Sequence, residues 1–314
     1  MKAFALDEFG AAGSVRELPD PEPGEGQVRI RVAAAGLNPF DTWVIQGALK
    51  DQMEHRFPLI PGGDASGTVD AIGPGVTDFA VGDDVFGSAG KPYFGEGALA
   101  ELAAMSVGTI AKKPASLGHD AAAAIPVAGV TAYNMIEAAP PADGQVVAVI
   151  GATGGVGSYY VQLATARGAR VVAICGTDNV DYARSLGAAE VIDYSAGDVV
   201  EAVRAASPDG IDLVADMHRD KELVARLAEL VPSGGRVVSV TGGVDAETLS
   251  QRGIEGTNVQ GRVATAALEA LAGMLERKEI VDPEIQTFSL DQTNEAFAQV
   301  GSGHTRGKIV VLPS

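Results

Sequence analysis

Gly151-Ala152-Thr153-Gly154-Gly155-Val156-Gly157 is the stretch whose residue types could do chemistry at the main chain itself. Ala152, Gly154 and Gly157 fall at the spacing of a dinucleotide fingerprint, and Gly151 supplies the turn before them. Missing side chains let a backbone approach a pyrophosphate, and the free N–H groups of a helix that begins there hold the anion. A tight strand–helix turn without a ligand would show the same glycines. The flanks separate the two readings. Val146–Ile150 is a short aliphatic, mostly β-branched run, as in a strand buried on both faces, and apolar residues resume at helical spacing after Val156. Strand, glycine turn and helix in that order point to a bound dinucleotide.

Which dinucleotide depends on the end of the next strand. An NAD site usually places Asp or Glu there to bind the ribose 2′-OH. This chain has Cys175-Gly176-Thr177, small and uncharged, which leaves room for a 2′-phosphate. NADPH is therefore favoured, with NADH possible because Asp178 follows where a basic residue would help.

The remaining chain must position these groups. Its 314 residues allow two domains with proper cores. A formal charge of −18 and a pI near 4.5 argue against nucleic acid and anionic membranes as partners. That acidity does not exclude an anionic cofactor, because exposed charges are screened beyond about 8 Å at physiological salt. One cysteine, Cys175, excludes an intrachain disulfide, and the opening M-K-A-F-A-L-D-E lacks a signal-peptide core, so a cytoplasmic protein is expected. Histidines 55, 119, 218 and 304 show no metal-ligand spacing, and no metal is expected.

The first hundred or so residues read as β, with alternation in Lys2–Leu6 and Gln27–Val32 and further strands near 67–72, 84–86 and 98–103. A helical stretch over 120–139 comes next. Strands at 146–150, 170–175, 190–193, 211–216, 236–240 and 255–260 then alternate with helices, which predicts an α/β fold with a six-stranded, doubly wound parallel sheet. The expected division is a β-rich domain over 1–119, a cofactor domain over 120–261, and a return segment over 262–314 that completes the first.

Several stretches carry a resemblance in order along almost the whole chain. They are A-A-G-L-N-P-F-D (34–41), P-L-I-P-G-G-D-A-S-G (58–67), V-G-D-D-V-F-G (81–87), A-A-A-I-P-V-A-G-V-T-A-Y (122–133), G-A-T-G-G-V-G (151–157), S-L-G-A-A-E-V-I-D-Y (185–194) and G-H-T-R-G-K-I-V-V (303–311). The chain closely resembles the medium-chain dehydrogenase/reductase superfamily, in its zinc-independent quinone oxidoreductase branch. The resemblance implies a GroES-like catalytic domain, a Rossmann domain, and a homodimer. Zinc members place cysteine where Asn38 stands and histidine where Gly63 stands, so metal-assisted alcohol oxidation is not expected. Hydride transfer from NADPH to a quinone or an α,β-unsaturated carbonyl is.

By that resemblance, Asn38 and Thr131 lie near the nicotinamide, although Asn38 before Pro39 also reads as a helix cap and Thr131 as a helix hydroxyl bonded to its own turn. Phe40, Trp43 and Leu49 are expected in the substrate pocket, with Trp43 also readable as core. Asp41 is expected to order its loop, and Asp64 to be a turn residue. Ala152, Thr153, Gly154, Gly155, Val156 and Gly157 should cradle the pyrophosphate, and Cys175, Gly176, Thr177 and Tyr194 the adenosine end. Thr241, Gly242 and Gly243 should meet the carboxamide. His218 sits at the sheet's carboxyl edge, and Arg306 and Lys308 read equally as cofactor neighbours or a surface charge pair. An enoyl-type reductase and a non-catalytic dinucleotide binder are the competing functions.

Overall fold

The computed structural model describes residues 1–313. By compactness the chain divides into two units, Met1–Val130 with Val263–Lys278 and Asp282–Ser314, and Thr131–Arg262 with Glu279–Val281.

The second unit is built on a six-stranded parallel sheet. Its spatial order is Glu190–Asp193, Arg170–Cys175, Val146–Ile150, Leu213–Asp216, Arg236–Ser239, Glu255–Asn258. Val147, Ala148, Val149 and Ile150 are buried, as a central parallel strand covered on both faces requires. The strand order reverses direction at Val146–Ile150, the position where such sheets open a crevice at their carboxyl edge. Asp198, Asp220 and Asp245 each cap a crossover helix by accepting from its first-turn N–H groups.

The first unit carries a seven-stranded sheet ordered Ile285–Ser289, Lys308–Leu312, Gln27–Leu37, Asp64–Ile72, Asp84–Ser88, Ile110–Lys112, with Leu102–Ser106 also paired to Gln27–Leu37. Gln27–Leu37 is its organising strand, and the register on either side of it decides which residues meet at its carboxyl end. Leu37 pairs with Ile309 on one side, and Gly36 pairs with Asp64 on the other. Gly36 must be glycine, since a Cβ there would run into the carbonyl of Ala123 on the overlying helix. Phe4, Ile30, Leu59, Leu99 and Met105 fill the core beneath.

Some elements differ from the sequence reading. The expected 120–139 helix is two, His119–Ala124 and Pro126–Ala138, because Pro126 has no N–H to continue the first. The strand expected at 98–103 lies at Leu102–Ser106, and the short strands Ser14–Glu17, Glu54–Ile60, Tyr93–Glu96 and Ile110–Lys112 have no counterpart in that reading. Glu54–Ile60 contains Pro58, the other three are brief, and none alternates strongly, so only the partner strand reveals each.

Candidate active site

Asn38 comes directly after the strand Gln27–Leu37, so the two neighbouring strands bring their residues to it. Lys308 precedes Ile309 on one side, and Asp64 opens the strand on the other. Lys308 Nζ donates to Asn38 Oδ1 at 2.7 Å and to the Leu37 carbonyl at 2.8 Å. Asn38 Nδ2 donates to Asp64 Oδ2 at 2.9 Å, and the N–H of Val127, in the first turn of the helix Pro126–Ala138, donates to the same oxygen at 3.0 Å. Asp41 accepts the Asn38 N–H at 2.8 Å and a backbone hydrogen bond from Gly63. These four side chains are 0–6% exposed.

Four buried polar side chains set a definite protonation problem. Burial pushes the Asp41 carboxyl up to about 7, with the Asp64 charge adding to it and the bond from Asn38 opposing. Burial raises Asp64 to about 6, while Lys308, Asn38 and Val127 pull the other way. Burial lowers the Lys308 ammonium, which the two carboxylates hold up. One buried ammonium faces two carboxyls, so the least costly state near neutrality keeps a proton on one of them. Asp64 Oδ1 is buried with no hydrogen-bond partner among the described residues.

The network also fixes what Asn38 can do. An ammonium only donates, so the amide oxygen must face Lys308 and the amide nitrogen must face Asp64. The amide cannot flip, and its second N–H is the donor it has left to offer. Asn38 is a donor.

Phe40, 40% exposed, packs against Trp43 at 6.3 Å and Phe94 at 5.8 Å between ring centroids. Leu49 is half-buried against the core of this unit. Asp64 is not a turn residue but the fully buried first residue of a strand, and Arg306 and Lys308 are not a surface pair. Arg306 bonds Glu284 at the surface, whereas Lys308 points inward. A lysine at the head of the apolar run Ile309–Val311 is the only sequence signal of that inward position, and it is a weak one.

In the second unit, the helix Gly155–Ala166 begins at Gly154, which has no side chain to cap it, so the first-turn N–H groups remain for a ligand. Gly151 has φ +75°, the left-handed region, and starts the turn. A Cβ on Gly157 would strike the Gly151 carbonyl oxygen and the Ala152 backbone. A Cβ on Gly154 would find that same oxygen at 3.6 Å and otherwise open space. Ala152 and Thr153 are buried, Gly155 and Val156 half-buried. This is a cradle of the shape a pyrophosphate needs.

The other expected cofactor residues are spread along the sheet's carboxyl edge. A Cβ on Gly151 would meet His218 Cβ at 3.4 Å, so that exposed histidine borders the glycine turn. Thr241 Oγ1 and Ser239 Oγ each donate to Asp216 Oδ2 at 2.6 Å, the His218 N–H donates to Asp216 Oδ1 at 2.8 Å, and Ser239 Oγ accepts from the N–H groups of Thr241 and Gly243. Asp216, wholly buried at a strand end, thus ties the Thr241–Gly243 loop to the His218 loop. Sequence reasoning misses it, since a lone Asp after Leu-Val-Ala carries no motif. Cys175 is buried, and burial raises its thiol to about 11, so it is no nucleophile. Thr131 is buried with its hydroxyl against Gly261, where a Cβ would collide.

Residues 24–115 match the alcohol dehydrogenase GroES-like domain, and residues 186–311 match a family described as zinc-binding dehydrogenase. The chain is 32% identical to the chloroplast envelope quinone oxidoreductase homolog of Arabidopsis thaliana, over 100% of this chain and 98% of that protein. It is 30% identical to the NADPH-dependent alkenal/one oxidoreductase, chloroplastic, of the same plant, over 100% of this chain and 80% of that protein. The quinone oxidoreductase from Coxiella burnetii superposes with a TM-score of 0.89 at 29% identity, covering 100% and 99% of the two chains.

These relatives correct the expectation of a cytoplasmic protein. Both Arabidopsis relatives are named as chloroplast proteins, and others are named as mitochondrial. A single cysteine excludes only an intrachain disulfide, which does not distinguish one compartment from another.

The residues present do not fit a zinc ion. No three His, Cys, Asp or Glu side chains among the described residues are grouped to hold a metal. Where two buried carboxyls do gather, at Asp41 and Asp64, the compensating positive charge is the Lys308 ammonium, and the Asn38 amide is already bonded to both Lys308 and Asp64.

Proposed function

Because the chain belongs to the medium-chain dehydrogenase/reductase superfamily, in its zeta-crystallin-like branch of zinc-independent quinone and enone oxidoreductases, we propose that it reduces quinones or α,β-unsaturated carbonyls with NADPH. The observation that carries this reading is the uncapped helix N-terminus at Gly154, with a glycine turn that no side chain obstructs. We assign the second unit to the cofactor and the first to catalysis.

When bound, the dihydronicotinamide supplies a hydride to an acceptor that is already electrophilic. The chain's own residues bind and orient. The N–H groups at Gly155, Val156 and Gly157 hold the pyrophosphate, and Ala152 and Thr153 shape the turn. Cys175, Gly176, Thr177 and Tyr194 border the adenosine end, where the absence of an acid on the second strand favours NADPH. Thr241, Gly242 and Gly243, anchored through Asp216, face the carboxamide, and Thr131 lines the nicotinamide pocket. Asn38, with its amide oxygen locked on Lys308, donates its second N–H to the substrate carbonyl oxygen, where charge develops as hydride arrives. Phe40, Trp43 and Leu49 line the pocket for the planar substrate.

Incubating the protein with NADPH and a panel of quinones and alkenals tests this directly. Loss of the dihydronicotinamide absorbance is expected with at least one class. Cofactor binding without turnover across the panel would instead favour a non-catalytic binder. We further propose a homodimer formed through the open edge strand Glu255–Asn258 of the parallel sheet. Sedimentation should give twice the chain mass.

A further inference from the structure

The second strand of the parallel sheet ends at Cys175 without the acid that an NAD site places there. The third strand brings one in from the side. Cys175 pairs in register with Asp193. Asp193 Oδ2 accepts from Thr177 Oγ1 at 2.7 Å, and Oδ1 accepts from the Ser195 N–H at 2.8 Å. Those bonds, that from Thr177 foremost, hold the carboxyl below its ordinary range, so it is ionised at neutral pH. Tyr194 closes over the same spot, with its hydroxyl 2.9 Å from where a Cβ on Gly176 would lie.

Among the described residues, Thr177 and Ser195 are the partners of that carboxylate, and neither carries a charge. Asp178 follows Thr177 directly, and Arg184, the cation that acts on Cys175 from this side, is engaged by Asp181 at 3.0 Å. The Thr177 hydroxyl, a natural donor to a phosphate, is already given to the carboxylate.

We propose that Asp193 is a specificity-determining residue for the cofactor: its carboxylate, held beside Thr177, opposes a ribose 2′-phosphate and limits the preference for NADPH, so that NADH is also taken. The inference rests on the dinucleotide reading of the glycine cradle. It replaces an acid on the second strand with one borrowed from the third.

Calorimetric titration tests it without turnover. The ligands are NADPH, NADH, and the pair 2′,5′-ADP and AMP, which differ by the 2′-phosphate alone. The wild-type chain should bind NADPH and NADH within about tenfold of each other, because a like charge at the rim offsets the phosphate contacts. Asp193→Asn, which keeps the side-chain shape, should tighten NADPH and 2′,5′-ADP by roughly tenfold and shift NADH and AMP by under about threefold. The gain should shrink as salt is raised. Asp193→Ser should change the ratio in the same direction, which guards against a local effect of the asparagine amide. An NADPH:NADH ratio unchanged in both variants overturns the proposal, as does a wild-type chain that ignores NADH. Failure of every protein to bind either dinucleotide would also end it, but by locating the error in the glycine cradle.

Discussion

The Lys308 ammonium donates to the Asn38 amide oxygen at 2.7 Å across a sequence separation of 270 residues. That one bond orients the proposed catalytic amide and sets a positive charge beside two buried carboxyls. Lys308→Met should therefore destabilise the chain by roughly 3–5 kcal/mol at pH 8, since Asp41 and Asp64 would lose their cation. The loss should be smaller at pH 5, where both carboxyls carry protons in the folded state. Urea unfolding at the two pH values checks it. An equal loss at both would mean that Lys308 matters for packing and not for charge.

Asp41 gives a sign to the pH dependence. Its folded-state value is about 7, above the ordinary 3.8, so the folded chain binds more protons than the unfolded one between those values. Its contribution is fully present below the unfolded value and is lost as pH rises through 7. Relative to Asp41→Asn, the wild-type chain should lose roughly 2–3 kcal/mol between pH 5 and pH 8. Asp64, raised to about 6, acts in the same direction in both proteins, so the difference reports Asp41 together with its coupling to Asp64.

Gly154 and Gly157 should fail in different ways. Gly154 has φ −77° and ψ −179°, open to any residue, and the nearest atom to a Cβ is 3.6 Å away. Gly154→Val should fold with an unchanged melting midpoint, yet weaken NADPH binding by about 100-fold or more by filling the cradle. Gly157→Val should lower the midpoint as well, because its Cβ meets the backbone of Gly151 and Ala152. If Gly154→Val binds NADPH normally, the pyrophosphate lies elsewhere.

Tyr160 lies wholly buried on the helix Gly155–Ala166, and its hydroxyl has no hydrogen-bond partner among the described residues. Removing an unpaired buried hydroxyl relieves its desolvation cost. Tyr160→Phe should raise stability by about 1 kcal/mol and leave the kinetics of quinone reduction unchanged. A lowered midpoint would reveal a partner for the hydroxyl.

What the sequence discloses depends on how local its cause is. Val146–Gly157 is legible because the strand, the turn and the helix each arise from neighbours a few residues apart. The crossover helices are legible for the same reason, with Asp198 and Asp220 marking their starts. Lys308 and Asp64 are not, because their burial comes from two strand registers, Ile309 with Leu37 and Asp64 with Gly36. A shift of one residue in either would turn those side chains to the opposite face. Asp193 is hidden in the same manner, since its meaning comes from lying beside Cys175 and not from the residues around it.

The strand holding Lys308 has a consequence for how the polypeptide matures. Asn38 leaves the ribosome first, and the side chain that aims its amide is made 270 residues later, after the whole parallel sheet. A nascent chain could thus complete the unit proposed to bind the nucleotide while the unit proposed to catalyse still lacks its aligned donor. Reactivity toward electrophiles would switch on only once Lys308–Leu312 slots in beside Gln27–Leu37.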